Sequence, residues 1–411
     1  MATALGRTVA GSRALFASYE DVVVDIAGPR TGKTTGGSVM MVLQAPGACV
    51  ATTNKRDLVD ATRDPRATVG AVWVFDPQAI VDEPVAWCWN PLSYVTDEVK
   101  AKMLADIFTS ASRVDPNART DAFFEPVATE LLANLLLAAA LATRPITQVY
   151  LWLTDPSDDE AVEILDGAGY DLVAAGLREV IHAPEKQRGG VYGTAKQIAA
   201  FLTNRQAARW ATPGGSRRAF DPHAFVRSAD TLYSISREGI ASAAPLVTAL
   251  TVAVMEAGEA LAQRSPGGRL GTPMTVVLDE AANVCRWAQL PNQYSHYGSK
   301  AINVITYLQS WSQGVESGAN TACASCGRQR TSRSTAAASP NAPSSETSAP
   351  RSASTNYTRL RSRTAAAPRR TPLRSDPSRS SMSPTSPRCP RAAPSSWHPA
   401  PARRSCAEPR G

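Results

Sequence analysis

The sequence predicts an α/β fold: a mostly parallel sheet, interrupted by an all-helical insertion and followed by a low-complexity, disordered C-terminal tail. Three observations predict it. Six short runs rich in β-branched and aromatic residues are separated by helix-length stretches, the pattern of strands joined by crossovers. Between the third run and the fourth, residues 96–215 are dominated by Ala/Leu-rich segments with helical spacing. After about Gly318 the composition collapses, and 73 of the 91 residues from 321 to 411 are Ser, Thr, Ala, Pro or Arg. Such a stretch buries too little surface to offset an ordering cost of about 1–2 kcal/mol per residue. The expected divisions are 1–95 and 216–318 for the two parts of the core, 96–215 for the insertion and 319–411 for the tail.

Residues 1–20 are a lead-in to which no element is assigned. The first strand is 21–27 (DVVVDIA), followed by a Gly/Pro/Thr loop and a helix over 33–44. Strands at 48–53 (ACVATT) and 71–75 (AVWVF) follow, the latter closed by Asp76-Pro77. Within the insertion the spacing predicts helices over 97–110, 124–143, 158–168 and 193–210, while 149–153 is too brief to assign as a strand. Strand texture returns at 231–236 (TLYSIS), 274–278 (MTVVL) and 302–308 (INVITYL), with a long helix over 243–263 joining the first two.

The chain of 411 residues has 43% hydrophobic content and a net charge of +7, which divides unevenly. Residues 1–320 hold 27 Lys+Arg against 33 Asp+Glu, whereas 321–411 hold 16 Arg and 3 acids. The basic balance therefore belongs to the tail and is not a nucleic-acid signature of the folded part. Cys49, Cys88 and Cys285 are scattered singly, as in a reduced cytoplasmic protein, and Cys323/Cys326 form a C-x-x-C with no second pair at zinc spacing. No signal peptide opens the sequence. The longest apolar stretch, 131–142, is about half the ~20 residues that cross a bilayer, so no membrane span is expected.

The strongest chemical signal lies between the first strand and its helix, in Ala27-Gly28-Pro29-Arg30-Thr31-Gly32-Lys33-Thr34. A phosphate-binding loop needs inward backbone N–H groups, a Lys for the β/γ oxygens and a hydroxyl for Mg²⁺. Gly32-Lys33-Thr34 supplies the last part in order, while Ala27 stands where the usual pattern has its first Gly. Gly28, Pro29, Arg30, Thr31, Gly32, Lys33, Thr34 and Thr35 are the expected nucleotide-binding residues, with ATP and Mg²⁺ as ligands. The second half of such a site is an apolar strand ending in an acid. Thr275-Val276-Val277-Leu278-Asp279-Glu280 fits, with Asp279 beside Thr34 as metal-facing residue and Glu280 as general base. Asp76 competes for Asp279's role but lacks a second acid. Gln309, after the last strand, is the expected γ-phosphate sensor of a RecA-like P-loop NTPase. His182, His223 and His296 have no acidic companions at ligand spacing and are read as structural or surface residues. Arg237 and Arg286 are candidate contacts to a neighbouring subunit's nucleotide.

Taken together, these segments resemble the TraG/TraD-like coupling proteins of conjugative type IV secretion, particularly the actinobacterial branch. The resemblance is carried by GPRTGKTT (28–35), ATTNKRD (51–57), VWVFDPQ (72–78), WNPLS (89–93), KQRGGVYGTAKQ (186–197), LDEAANVCRW (278–287), YSHYGSK (294–300) and LQSWSQGVE (308–316). It implies a RecA-like ATPase with a helical insertion, assembled as a homohexamer at the cytoplasmic face of the membrane. It also implies delivery of relaxase-bound single-stranded DNA to a secretion channel. By that pattern Lys33 and Thr34 bind nucleotide and Mg²⁺, Asp279 and Glu280 form the Walker B pair, and Gln309 is the sensor. An FtsK-type DNA translocase, a protein-secretion ATPase and an inactive nucleotide-binding fragment remain the alternatives. Family members usually begin with transmembrane helices, and the resemblance is expected to stop after Glu316. The chain therefore reads as truncated at both ends, with the tail a frameshift product of high-GC coding DNA.

Overall fold

The computed structural model describes residues 2–8, 10–28, 31–113, 123–239, 242–287, 289–310 and 331–334. An antiparallel hairpin, β1 (Ala2–Arg7) and β2 (Ala14–Ser18), opens the chain. The sheet strands are β3 (Val22–Ile26), β4 (Cys49–Thr53) and β5 (Val72–Phe75), then β8 (Thr231–Ile235), β9 (Met274–Leu278) and β10 (Ile302–Leu308). Two short strands, β6 (Trp87–Cys88) and β7 (Arg218–Ala219), pair with each other, and β11 (Thr331–Ser334) lies beside β3. All pairings in the seven-stranded sheet are parallel, in the order β11-β3-β10-β9-β4-β8-β5.

A parallel sheet needs crossovers, and their helices cover both faces. Alternating residues divide between two cores: Val50, Val276 and Val304 on one face, and Ala51, Val277 and Ile305 on the other. The second face carries the β1–β2 hairpin, α1 (Val39–Leu43) and α2 (Asp57–Ala67). On the first face lie α11 (Ala244–Arg264), α12 (Ala281–Val284), α13 (Leu290–Ser299) and the insertion. Strand-type side chains on both sides explain why the sheet runs read as continuous apolar stretches.

The insertion comprises α3 (Glu98–Ser112), α4 (Phe124–Leu141), α5 (Thr147–Thr154), α6 (Glu160–Gly167), α7 (Asp171–Ile181), α8 (Glu185–Ile198) and α9 (Arg205–Ala211). α10 (Pro222–Phe225) leads back to the sheet. Asp97 caps α3 by accepting the Lys100 N–H at 2.8 Å, and Asn204 caps α9 by accepting from Gln206 and Ala207. Entry and exit of the insertion are tied together by β6 and β7, and Trp89 N–H donates to Trp210 C=O at 2.9 Å. Around that stem Trp73, Phe75, Trp87, Trp210 and Phe220 pack with ring centroids 5.1–5.7 Å apart.

Several expectations are corrected. Residues 1–20 hold the hairpin, whose Ala4 N–H donates to Gln44 Oε1 at 3.0 Å; Gly6 breaks the alternation that would have signalled it. Residues 147–154, too brief to be assigned as a strand, are helical like the rest of the insertion, with Val149, Trp152 and Leu153 buried. α7 was not anticipated, and the helix expected over 193–210 begins at Glu185 and breaks at the Asn204 cap. α4 and α11 are both long and apolar enough to cross a membrane, but most of each is buried within the fold. In the segment expected to be structureless, Thr331–Ser334 adds a strand to the sheet edge at β3. The rest of the tail, with Cys323 and Cys326, lies outside the described residues.

Candidate nucleotide site

Because the strands are parallel, every β-to-helix loop leaves the sheet at one edge, where ligands of open α/β sheets bind. That edge carries the loop after β3, Asp279 and Glu280 after β9, and Gln309 after β10. β10 lies between β3 and β9. Lys33 and the Asp279–Glu280 pair therefore converge across an intervening strand, not from neighbouring ones.

Of the loop, Pro29 and Arg30 lie outside the described residues. Thr31 Oγ1 donates to Gly28 C=O at 2.8 Å, folding the loop back on itself. Gly32 has φ +84°, the left-handed conformation that a side chain would resist, and starts the helix. The first turn, Lys33–Ser38, is a π-type turn in which Val39 N–H reaches Thr34 C=O. Thr35 is exposed, and its hydroxyl turns back to Gly32 C=O at 3.4 Å. Lys33 Nζ donates to Leu308 C=O at 3.4 Å, and the same carbonyl accepts Ala27 N–H at 3.1 Å. The lysine thus lies over the end of β10, next to Gln309.

Thr34 Oγ1 donates to Asp279 Oδ2 at 3.1 Å and Ser38 Oγ donates to Oδ1 at 3.2 Å. Asp279 is only 2% exposed. Burial raises its pKa above the usual carboxylate value, reinforced by the Glu280 charge and opposed by the two hydroxyls and Lys33. Glu280 adopts φ 55°, left-handed backbone that costs a non-glycine residue about 1–2 kcal/mol. Its carboxylate accepts from Gln309 Nε2 and from Asn283 Nδ2, the latter at 3.4 Å. The acid is thereby tied to Gln309, at the end of β10.

The donor set fits magnesium. A hydroxyl and a buried carboxylate in contact are hard oxygen ligands of the kind this ion takes beside phosphate and water. Among the described residues no cluster of three or more His, Cys, Asp or Glu suits another metal. The structure removes Asp76 as a rival to Asp279. Its carboxylate accepts the backbone N–H groups of Ile80, Val81 and Glu83 at 2.7, 2.9 and 3.3 Å, closing the loop after β5. Arg286 donates through Nε to the Ala282 carbonyl at 3.2 Å and through Nη1 to the Arg113 carbonyl. Arg237 is exposed at the end of β8, its backbone N–H held by Gln78 Oε1 at 2.7 Å. His296 pairs with Glu259, while His182 and His223 stand at helix ends.

Sequence reasoning missed Ser38, Asn283 and the Leu308 carbonyl. Ser38 was findable, since it stands four residues after Thr34 and so on the same helix face. The carbonyl carries no side-chain signal.

Residues 273–329 match a family model described as the TraM recognition site of TraD and TraG. That match runs past Glu316, where the resemblance was expected to stop. In fold, the chain is similar to the unbound bacterial conjugative coupling protein TrwBdeltaN70, with a TM-score of 0.52 and 17% identity over 78% of this chain and 70% of that one. It is similar to the plasmid coupling protein TrwB with ADP and Mg²⁺, with a TM-score of 0.52 and 17% identity over 78% and 71%. For TrwB with the non-hydrolysable ATP analogue ADPNP the values are 0.53 and 18% over 78% and 71%. No curated protein sequence matches the chain. The chain is therefore TraG/TraD-like in sequence over 273–329 and has the RecA-like fold of a coupling protein, with a helical insertion. Neither finding bears on an actinobacterial branch.

Proposed function

We propose that this chain is the ATP-hydrolysing motor of a conjugative coupling protein, which drives relaxase-bound single-stranded DNA toward a type IV secretion channel. The observation that carries the reading is the Thr34–Asp279 contact at 3.1 Å, which joins segments far apart in sequence at the mouth of a glycine-containing loop. The loop N–H groups around Gly32, Lys33 and Thr34 cradle the phosphates, and Lys33 withdraws from Leu308 C=O to meet the β/γ oxygens. Magnesium, when bound, neutralises charge on the phosphates and is held by Thr34 and Asp279. Glu280 orients and deprotonates the attacking water, and Gln309, hydrogen-bonded to Glu280, registers the γ-phosphate and its loss.

Contact with a relaxosome protein is assigned to 273–329, in keeping with the family model's description. Assembly as a homohexamer at the cytoplasmic face of the membrane, engagement of channel components, and the domain divisions 1–95, 96–215 and 216–318 belong to the same proposal. The test is ATP hydrolysis by the full chain with and without single-stranded DNA. DNA should stimulate turnover, and Lys33→Ala and Glu280→Gln should each abolish it. Turnover unaffected by both substitutions defeats the site assignment; ATP binding without turnover in the wild type makes the chain a nucleotide-binding module.

A further inference from the structure

The helix after the loop opens with Thr34, Thr35, Gly36, Gly37 and Ser38. Ser38 is fully buried, and its hydroxyl is spent on Asp279 Oδ1 while Thr34 takes Oδ2. Each carboxylate oxygen thus meets one hydroxyl, and both hydroxyls come from one face of the same turn. The terminal torsion of an aspartate is broad and roughly two-fold. A carboxylate held through one oxygen can therefore swing, whereas one held through both keeps its plane.

The position of Ser38 is set in turn by β10. A Cβ on Gly37 would lie 2.7 Å from the Tyr307 hydroxyl, so a glycine lets the turn rest against the ring. Burial above all, with Asp25 and Asp279 nearby, raises the Tyr307 pKa, and the phenol stays a neutral hydroxyl within reach of Ser38.

We propose that Ser38 is a positioning residue for Asp279, fixing the carboxylate plane so that the oxygen beside Thr34 faces the magnesium shell, an inference that rests on the nucleotide-site reading above. Its role is orientation of a ligand, and outer-shell partners of this kind typically change metal affinity by about 10–100-fold.

The experiment titrates magnesium against the full chain with a fluorescent ATP analogue, and repeats the binding in excess chelator. For Ser38→Ala the magnesium midpoint should rise about tenfold, with chelator-arm affinity within about twofold of wild type. Ser38→Thr, which keeps the hydroxyl, should restore the midpoint to within about threefold. If Ser38→Ala melts below the assay temperature, Ser38→Cys, similar in volume and a weak donor, replaces it with the same expected direction. An unchanged midpoint in the donor-deficient variant overturns the inference and leaves the site reading standing. Equal losses with and without magnesium, or a Ser38→Thr chain that behaves like Ser38→Ala, also overturn it. Wild-type binding that ignores magnesium, or no binding at all, overturns the site reading and the inference with it.

Discussion

Two aspartates end two parallel strands of the same sheet, and both are almost completely removed from water. Asp76 after β5 is 1% exposed and Asp279 after β9 is 2% exposed. Their partners differ in kind. Asp76 is ringed by three backbone N–H groups of its own loop, bonds that cannot be given up without opening the loop. Asp279 is held by two side-chain hydroxyls from a distant segment, bonds that can rearrange around an ion. Burial alone therefore does not distinguish a structural acid from a ligand; the mobility of what satisfies it does.

Four substitutions test that contrast, beginning with the largest expected effect. Asp279→Asn should lower ATP turnover about a thousandfold, close to 4 kcal/mol in the barrier. Its melting temperature should hold or rise, because burial raises the Asp279 pKa and thus penalises the charged form that the amide replaces. A large fall in melting temperature would erase the distinction from Asp76. Asp76→Ala should do the reverse, costing about 3 kcal/mol of stability by stranding three N–H groups. Nucleotide affinity below its melting point should stay within about twofold of wild type.

Gly37→Ala, read by melting and by magnesium titration, should cost about 1–2 kcal/mol through the clash with Tyr307. It should also weaken magnesium-dependent binding, whereas a lone stability loss would uncouple the Asp279 hydroxyls from the seat on β10. The smallest effect is expected for Arg286→Lys. With Nε and Nη1 already donating to the Ala282 and Arg113 carbonyls, turnover should fall no more than about threefold. A loss near the ~10³-fold of an arginine finger would return Arg286 to the nucleotide.

The sheet was legible because its six anticipated strands are buried on both faces and so read as uninterrupted β-branched runs. The loop and the Asp279–Glu280 pair were legible because phosphate and metal chemistry restricts residue type at fixed spacing. The β1–β2 hairpin was not, since Phe16 is 62% exposed and Gly6 interrupts the register, leaving little periodic signal. Nor were β6 and β7, two residues each, visible in a pattern; their pairing depends on an aromatic cluster assembled from residues as distant as Trp73 and Phe220. Asp76 and Asp279 looked like competitors because both follow apolar runs, and the main-chain partners that separate them have no sequence signature.

The placement of β10 has a kinetic corollary. Among the described residues, β3 pairs with β10 and β11. The strand that carries the phosphate loop is synthesised early, yet its inner neighbour arrives only when Ile302–Leu308 has left the ribosome. At about 5–20 residues per second that is roughly 15–55 s of waiting. Throughout that interval the loop has no Leu308 carbonyl to anchor Ala27 and no strand against which to set its register. Nascent chains should consequently acquire nucleotide protection late and abruptly, after β10 emerges, and until then depend on chaperones to shield the open side of β3.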